Sequence, residues 1–320
     1  MAMHPQNSQE GEMASGIHHV TAVSGPAPRN LAFYTEALGL RLVKRTVNFD
    51  DPGTWHLYYG DYEGAPGTLV TFFPWAHAAP GRIGIGETME IAFRIPEAAI
   101  GYWTSRLIEK GVTHEHPAKR FGETVLAATD PDGMRITLVG VRDLEPKGGV
   151  SRAGIPPEMA IDGLYGVTLL LGEAEPTGAL IEDVFGFEKV GTEETVTRYR
   201  APGVTTGAIV DLRAAGGFLP GRFGAGSIHH VAFRAADDDE QAAMVERLKA
   251  QGLRTTEQKD RKYFRSVYFR EPGRVLFEIA TDAPGFAVDE DPSALGTELR
   301  LPRFLEDRRE EIERALPPLG

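Results

Sequence analysis

Four stretches of the chain concentrate apolar residues in the way typical of buried β-strands. They read IHHVTAV from Ile17, MEIAFRI from Met89, LYGVTLLL from Leu164 and IHHVAFRA from Ile228. Each is followed by a segment with apolar residues at helical spacing that stops near a glycine. The four glycines are Gly39, Gly111, Gly186 and Gly252. Because glycine adopts the left-handed conformation that closes a helix without strain on a Cβ, these positions predict helix ends.

Short extended runs follow each predicted helix. In TVLAATDPDGMRITLVG and RSVYFREPGRVLFEIA the runs are separated by Asp-Gly or Pro-Gly, which are hairpin signals. The unit is therefore a strand, a helix and about three further strands, and it recurs four times along the chain. Since MEIAFRI and HHVAFRA agree closely, a repeat explains the pattern better than two unrelated α+β domains. Small sheets need partners, so we expect paired units that curl around a shared cavity.

The stretch between residues 141 and 159 is rich in glycine, proline and charge, and it indicates a boundary between two halves. We predict a disordered tail over residues 1–14, an N-terminal domain of two units over 15–145, a linker over 146–158, a C-terminal domain of two units over 159–290, and a C-terminal helical extension over 291–320.

Composition excludes several classes of protein. The 320-residue chain has no cysteine, so disulfides, thiolate zinc sites and cysteine nucleophiles are impossible. It has 34 Lys+Arg against 46 Asp+Glu, a formal net charge of −12. Nucleic acid and anionic membranes need clustered positive charge, so neither is expected as a partner. With no apolar segment of membrane-spanning length and no secretory signal, a cytoplasmic enzyme is expected, and a homo-oligomer is compatible with the sequence.

Two His-His doublets occupy matching positions in the first and fourth units. Unit two has Met89-Glu90 there and unit three has Tyr165-Gly166, so the fold itself does not require histidine. Neutral imidazole is the commonest metal ligand, and the paired doublets favour a metal site over structural histidines. Alternation along a strand places His19 and Thr21 on one face and His18 on the other.

A third metal ligand is expected from the last strand of unit four, VLFEIA, which contains Glu278. A carboxylate among apolar neighbours is costly unless it is paired or binds a cation. Arginine pairing, with Arg234, Arg265 or Arg270, is the alternative. His19, His230 and Glu278 would form a two-histidine, one-carboxylate set that leaves coordination positions open. Such a set suits Fe(II) oxygen chemistry, and Mn(II) accepts the same ligands.

The stretches GIHHVTAVSGPAPRNLAFYTEALGL, GSIHHVAFRA and DRKYFRSVYFREPGRVLFEIATD occur in this order. Together they resemble the ring-cleaving dioxygenases of the vicinal oxygen chelate superfamily, in its hydroquinone-cleaving branch, over nearly the whole chain. The resemblance implies an α+β fold of four βαβββ modules that form two open barrels. It also implies an Fe(II) centre held by His19, His230 and Glu278. By the same resemblance, the residues around the substrate are His18, His229, Thr21 and Tyr268.

The expected function is an Fe(II)-dependent dioxygenase that inserts O₂ into a small aromatic substrate. The stretch after DRK is shorter than in some hydroquinone-specific relatives and leaves Arg265 out of their substrate-facing position, so hydroquinone and catechol substrates both stay open. A glyoxalase-like lyase or isomerase would need an extra carboxylate, where this chain has Thr71 or Phe72. A non-catalytic protein that sequesters aromatic ligands is the second alternative. His56 is interpreted as a core residue or as a residue that supports the metal ligands, and not as a ligand itself.

The aromatic residues before the second unit are interpreted mainly as barrel core, with one or two also facing the substrate. They are Tyr58, Tyr59, Phe72, Phe73 and Trp75.

Overall fold

The structure is a computed structural model that describes residues 16–146 and 152–319. The predicted tail over residues 1–14 lies outside the described residues, and so does the part of the predicted linker from 147 to 151. The strands are β1 (Ile17–Ser24), β2 (Arg41–Asn48), β3 (Asp51–Gly60), β4 (Leu69–Pro74), β5 (Glu87–Pro96), β6 (Ala118–Arg120), β7 (Glu123–Thr129), β8 (Arg135–Val141), β9 (Leu164–Leu171), β10 (Glu188–Glu193), β11 (Val196–Arg200), β12 (Ile209–Ala214), β13 (Ile228–Ala235), β14 (Lys259–Asp260), β15 (Arg265–Arg270) and β16 (Leu276–Thr281).

The strands form two curled sheets of eight strands each, as the repeat and the resemblance predicted. The first sheet has the order β14-β15-β16-β13-β1-β4-β3-β2, and the second has the order β10-β11-β12-β9-β5-β8-β7-β6. In each module the first strand pairs in parallel with the last, as β1 does with β4 and β13 with β16. Modules one and four share the first sheet through the antiparallel pair β1–β13, and modules two and three share the second through β5–β9.

Each module carries one helix between its first and second strands. The helices are α1 (Ala27–Ala32, extended by a π-helical turn over Phe33–Ala37), α2 (Ile100–Glu109), α3 (Glu175–Phe185) and α4 (Asp238–Ala250). The four predicted stop glycines all have positive φ, between 66° at Gly111 and Gly186 and 78° at Gly252, which confirms the predicted ends. No helix among residues 16–146 and 152–319 combines the length and apolar character needed to cross a membrane.

The last segment packs against the first module and covers the edge of its sheet. Its final helix, α5 (Arg309–Ala315), follows a short 3₁₀ turn, and Leu305, Ile312 and Leu316 are buried. The fully buried Lys44 on β2 donates from Nζ to Asp289 Oδ1 at 2.7 Å and contacts Glu290. A buried ammonium needs such partners, so these ion pairs tie the segment to β2.

Charged side chains form ion pairs inside the barrel made by the second sheet. Glu90, at the repeat position of His230, binds Arg120 and lies 2.9 Å from Arg135 Nε. Arg198 makes a bidentate pair with Asp211, with both hydrogen bonds at 2.8 Å. This barrel therefore keeps the architecture of the first but holds ion pairs where the first holds histidines.

Candidate metal centre and cavity

Strand pairing brings the three predicted ligands together. On the antiparallel pair β1–β13, His19 lies opposite Ala232 and Thr21 opposite His230. On the parallel pair β13–β16, Ala232 lies beside Glu278. The Nε2 atoms of His19 and His230 are 3.3 Å apart, and Glu278 Oε2 lies 3.5 Å and 2.9 Å from them respectively. Three strands from the two ends of the chain thus converge on one point.

The donor atoms fit a divalent cation. All three side chains are buried, and Glu278 Oε1 accepts a hydrogen bond from Ser266 Oγ at 2.5 Å, whereas Oε2 accepts none among the described residues. Such an orphaned carboxylate oxygen facing two imidazole nitrogens is what a metal would satisfy. The set is the one cluster of metal-ligating residues within residues 16–146 and 152–319. Burial works to raise the pKa of Glu278, but His19 and His230 outweigh it and hold that pKa well below its usual value.

The alternative in which Glu278 pairs with an arginine is wrong. Arg234 binds Asp282 at 2.6 Å, Arg265 binds Asp238, and Arg270 donates to the carbonyl oxygen of Arg274 at 2.8 Å. These arginines have other partners, so the buried carboxylate is left to the two histidines.

Each doublet joins its two rings through Nδ1. The Nδ1–Nδ1 distance is 3.0 Å between His18 and His19 and 2.8 Å between His229 and His230. Burial, followed by His19, lowers the pKa of His18 well below the usual histidine value, and burial followed by His230 lowers that of His229 to about 3. The first ring of each doublet is therefore neutral. A metal held at Nε2 of the second ring would leave that ring's proton on Nδ1, and the second ring would then donate from Nδ1 to Nδ1 of the first.

The prediction that strict alternation along β1 turns His18 away from the face of His19 is wrong. The register with β13 shifts between Ile17 and His19, as at a β-bulge, so successive side chains do not point to opposite faces. The rings of both His18 and His19 lie against Phe264, with centroids 5.2 Å and 5.0 Å away.

A cavity of about 390 Å³ opens beside His19 and His230, two of the three predicted ligands. It is lined by His19, Asn48, Phe49, Asp50, His56, Tyr58, Phe73, Trp75, His229, His230, Thr256, Lys259, Arg261, Phe264, Tyr268 and Leu276. Of the residues expected around the substrate, His229 and Tyr268 line this cavity. His18 and Thr21 are buried outside the cavity lining, and a direct catalytic role for them stays a prediction.

A chain of hydrogen bonds occupies the position where a fourth ligand would stand. Thr71 lies beside Thr21 in the β1–β4 pair, as Glu278 lies beside Ala232, so Thr71 is the repeat equivalent of Glu278. Thr71 Oγ1 is 2.8 Å from Thr21 Oγ1 and 2.9 Å from His56 Nε2. His56 Nδ1 is in turn 2.9 Å from the Tyr58 hydroxyl. His56 therefore lines the cavity as part of this chain of bonds and stands outside the ligand cluster.

The cavity uses more aromatic residues than the sequence indicated. Tyr58, Phe73 and Trp75 all line it, whereas Tyr59 and Phe72 are fully buried core. Strand alternation separates the two sets, but the pattern alone does not say which face meets the cavity.

Arg261 is a cavity residue that the sequence did not predict. Its Nε donates to the Tyr268 hydroxyl at 3.4 Å, and its Nη2 lies 2.9 Å from Asp50 Oδ2. Arg265, which the sequence analysis considered instead, is half exposed and bound to Asp238. Arg261 stands in an irregular segment before β15, where no periodicity indicates the direction of a side chain, so the sequence carried no usable signal.

The fold and the site define a protein of paired βαβββ modules with two histidines and one carboxylate, a candidate metal site, in the barrel formed by modules one and four. The chain belongs to the Glyoxalase/Bleomycin resistance protein/Dioxygenase superfamily, whose family model matches residues 16–138 and 167–279.

Proteins similar over their full length carry related names. The chain is 43% identical over 306 residues, covering 95% of this chain and 96% of the other, to MhqO of Bacillus subtilis (strain 168), whose name assigns it provisionally to the ring-cleaving dioxygenases. It is 32% identical over 316 residues, covering 95% and 97%, to the chlorohydroquinone/hydroquinone 1,2-dioxygenase of Sphingobium indicum.

Solved structures agree with this relationship. A crystal structure of a provisionally assigned dioxygenase from Bacillus subtilis superposes with a TM-score of 0.92 at 42% identity, covering 97% of this chain and 99% of that one. Glyoxalase I from Zea mays superposes with a TM-score of 0.64 at 17% identity, covering 84% and 93%, which shows the common fold alone.

Proposed function

We propose that this protein is an Fe(II)-dependent ring-cleaving dioxygenase that inserts O₂ into a hydroquinone- or catechol-type aromatic. The observation that carries the proposal is the convergence of His19, His230 and Glu278, with both histidines on the wall of an aromatic-lined cavity and the glutamate buried against them. Two histidines and one carboxylate leave coordination positions for a substrate and O₂, which suits non-haem Fe(II). The names of the full-length relatives support the reaction and the substrate class. Mn(II) would accept the same ligands.

The ligand residues bring the reactants together. When bound, Fe(II) supplies Lewis acidity towards a phenol and the redox chemistry that activates O₂. His19, His230 and Glu278 would hold the ion at one side of the cavity, where substrate and O₂ could be held within one complex, which would remove the entropy of their encounter from the reaction step. Phe264 and the aromatic wall exclude water around the ring.

Two cavity residues are placed to bind the substrate oxygens. With a metal on His230 Nε2, His230 would donate from Nδ1 to Nδ1 of His229, 2.8 Å away, and His229 would carry its own proton at Nε2. That Nε2 has no hydrogen-bond partner among the described residues and can donate to a substrate oxygen. Burial, followed by the charge of Glu278, raises the pKa of Tyr268, so its hydroxyl stays protonated and donates as well. Arg261, bound to the Tyr268 hydroxyl, fixes the orientation of that ring.

The alternatives have less support. A glyoxalase-like lyase or isomerase would draw a further carboxylate from the opposite module, and this chain has Thr71 at that position, engaged by Thr21 and His56. A protein that only sequesters aromatics would need the cavity but not a buried carboxylate between two histidines, which is costly without a cation.

Oxygen uptake tests the proposal. Protein purified without oxygen and loaded with Fe(II) is offered hydroquinones and catechols, while the ultraviolet spectrum of the product is followed. We expect uptake with one of these substrate classes together with a new ring-opened chromophore. Absence of uptake while iron is demonstrably bound would contradict the proposal, and Mn(II) loading in parallel identifies the active metal.

A further inference from the structure

The turn between β2 and β3 forms one rim of the cavity. Asn48, Phe49 and Asp50 line it from the first module, opposite Lys259 and Arg261 of the fourth module. The turn is held by a hydrogen bond from the Asp50 amide to Asn48 Oδ1 at 3.0 Å. Asp50 then crosses the mouth, with Oδ2 2.9 Å from Arg261 Nη2.

Among the cavity-lining residues that the structure describes, three carry charge at neutral pH apart from the metal centre. They are Asp50, Lys259 and Arg261. Partial burial works to raise the pKa of Asp50, but the hydrogen bond and charge of Arg261, followed by the charge of Lys259, lower it below its usual value. Asp50 is the one anion among the three, so it offsets one of the two cations at the mouth.

We propose that Asp50 determines substrate specificity by occupying Arg261, so that the cavity accepts aromatic rings with uncharged substituents and disfavours rings that carry a carboxylate. The inference deepens the proposed function and rests on it for the aromatic nature of the ligand. The discrimination itself follows from the charges at the mouth.

The physical reason is competition for one guanidinium. A guanidinium presents its donors in a planar fork that matches a carboxylate, whichever molecule supplies it. Nε of Arg261 is directed to Tyr268 and Nη2 to Asp50, so the group is already engaged on both sides. A substituent carboxylate would have to displace Asp50 and would meet its repulsion, whereas a neutral substituent meets neither obstacle.

The test uses one matched ligand pair and one matched variant pair. Fe(II)-loaded protein without oxygen is titrated with 4-hydroxyphenylacetate and with its neutral amide, and binding is followed by tryptophan fluorescence, since Trp75 lines the cavity. The variants are Asp50→Asn and, as control, Asp51→Asn. Asp51, the next residue and the first of β3, is exposed and lies outside the cavity lining, so its replacement makes the same change in net charge.

We expect Asp50→Asn to tighten binding of the carboxylate ligand by about two- to fivefold at low salt, which is the range of a partly exposed ion pair. We expect Asp50→Asn to bind the amide with unchanged affinity, and Asp51→Asn to bind both ligands with unchanged affinity. The gain in affinity of Asp50→Asn for the carboxylate ligand should decrease as salt is raised. An equal change for both ligands, an equal change in the control, or no change at all would each overturn the inference.

A double-mutant cycle tests whether Asp50 acts through Arg261. In an Arg261→Gln background, Asp50→Asn should lose most of its effect on the carboxylate ligand, because no guanidinium is released. An undiminished effect in that background would overturn the assignment. These binding measurements need no turnover, so a shift in selectivity without oxygen uptake on any substrate would reject the proposed reaction and keep this inference.

Discussion

At the scale of single residues, the two ring nitrogens of His19 and of His230 make different contacts. Nε2 of His19 and of His230 is directed to the metal position, and Nδ1 of each is held by the preceding histidine. This arrangement gives His18 and His229 an orienting role that a lone strand histidine would not have. His229 also lines the cavity, whereas His18 does not. The two residues therefore make the same kind of hydrogen bond but differ in their access to the cavity.

Removal of a ligand should abolish metal binding. Glu278→Gln keeps the shape of the side chain but loses its charge, and His19→Ala removes a donor; we expect both variants to lose bound iron and oxygen uptake. Metal analysis after anaerobic loading and desalting measures this. His116→Ala, at an exposed position away from the centre, should keep its iron. Stoichiometric iron in either ligand variant would reject the assignment.

Loss of the orienting partner should weaken metal binding without abolishing it. His18→Leu removes the acceptor for His19 Nδ1, and we expect metal affinity to fall by about 10- to 100-fold, the usual cost of removing such a partner. His18→Asn retains an acceptor group and should lose less. Competition with a calibrated chelator measures both affinities. Equal affinities for the two variants would mean that the contribution of His18 is packing alone.

At the scale of elements, the two barrels use the same strand order for different interiors. The outer barrel, built from modules one and four, has histidines and an acid beside an open cavity. The inner barrel, built from modules two and three, has the ion pairs of Glu90 and Arg198. Buried ion pairs depend on both partners, because one charge left alone in the interior is far more costly than the pair.

Arg198→Met should therefore destabilise the protein strongly. It leaves the Asp211 carboxylate buried without its bidentate partner, and we expect the free energy of unfolding to fall by about 3–5 kcal/mol. Urea unfolding followed by circular dichroism measures the change. Arg213→Met, at an exposed position on β12, is the control and should change stability little. A small loss in Arg198→Met would mean that the pair is dispensable.

The sequence predicted the elements well because repetition made each signal appear four times. The glycine stops, the hairpins and the three residues that meet in the candidate metal site could all be predicted by comparing modules, and Glu278 was conspicuous as an acid in an apolar strand. Arg261 and the direction of His18 could not be read. The first lies in an irregular segment, and the second depends on a register shift that is set by the contact of β1 with β13.

At the scale of the whole molecule, the metal centre belongs to neither half of the chain alone. His19 comes from the first module and His230 and Glu278 from the fourth, and the pairs β1–β13 and β5–β9 both join the two halves. The two domains predicted from the sequence, over 15–145 and 159–290, stay a prediction about the order of modules along the chain; in space, each sheet crosses that boundary.

Separate expression of the two halves tests this dependence. Residues 16–146 and residues 152–319, produced as two polypeptides, should each fail to bind iron tightly, because each lacks at least one ligand and half of each sheet. Mixing them should restore binding to the extent that the sheets reassemble. Iron content after mixing and gel filtration measures the outcome. Tight iron binding by either fragment alone would contradict the shared site.

Modules two and three lie between modules one and four in the sequence, so the two barrels can be completed at different times during synthesis. The inner barrel uses a continuous stretch, from β5 to β12, and can close as soon as that stretch has left the ribosome. The outer barrel must wait for β13 to β16, while β1 keeps an unpaired edge that could join another nascent chain. Translation stalled before β16 would leave the barrel of modules two and three complete and both histidine doublets without Glu278, so the candidate metal site is the last part of the molecule to be completed.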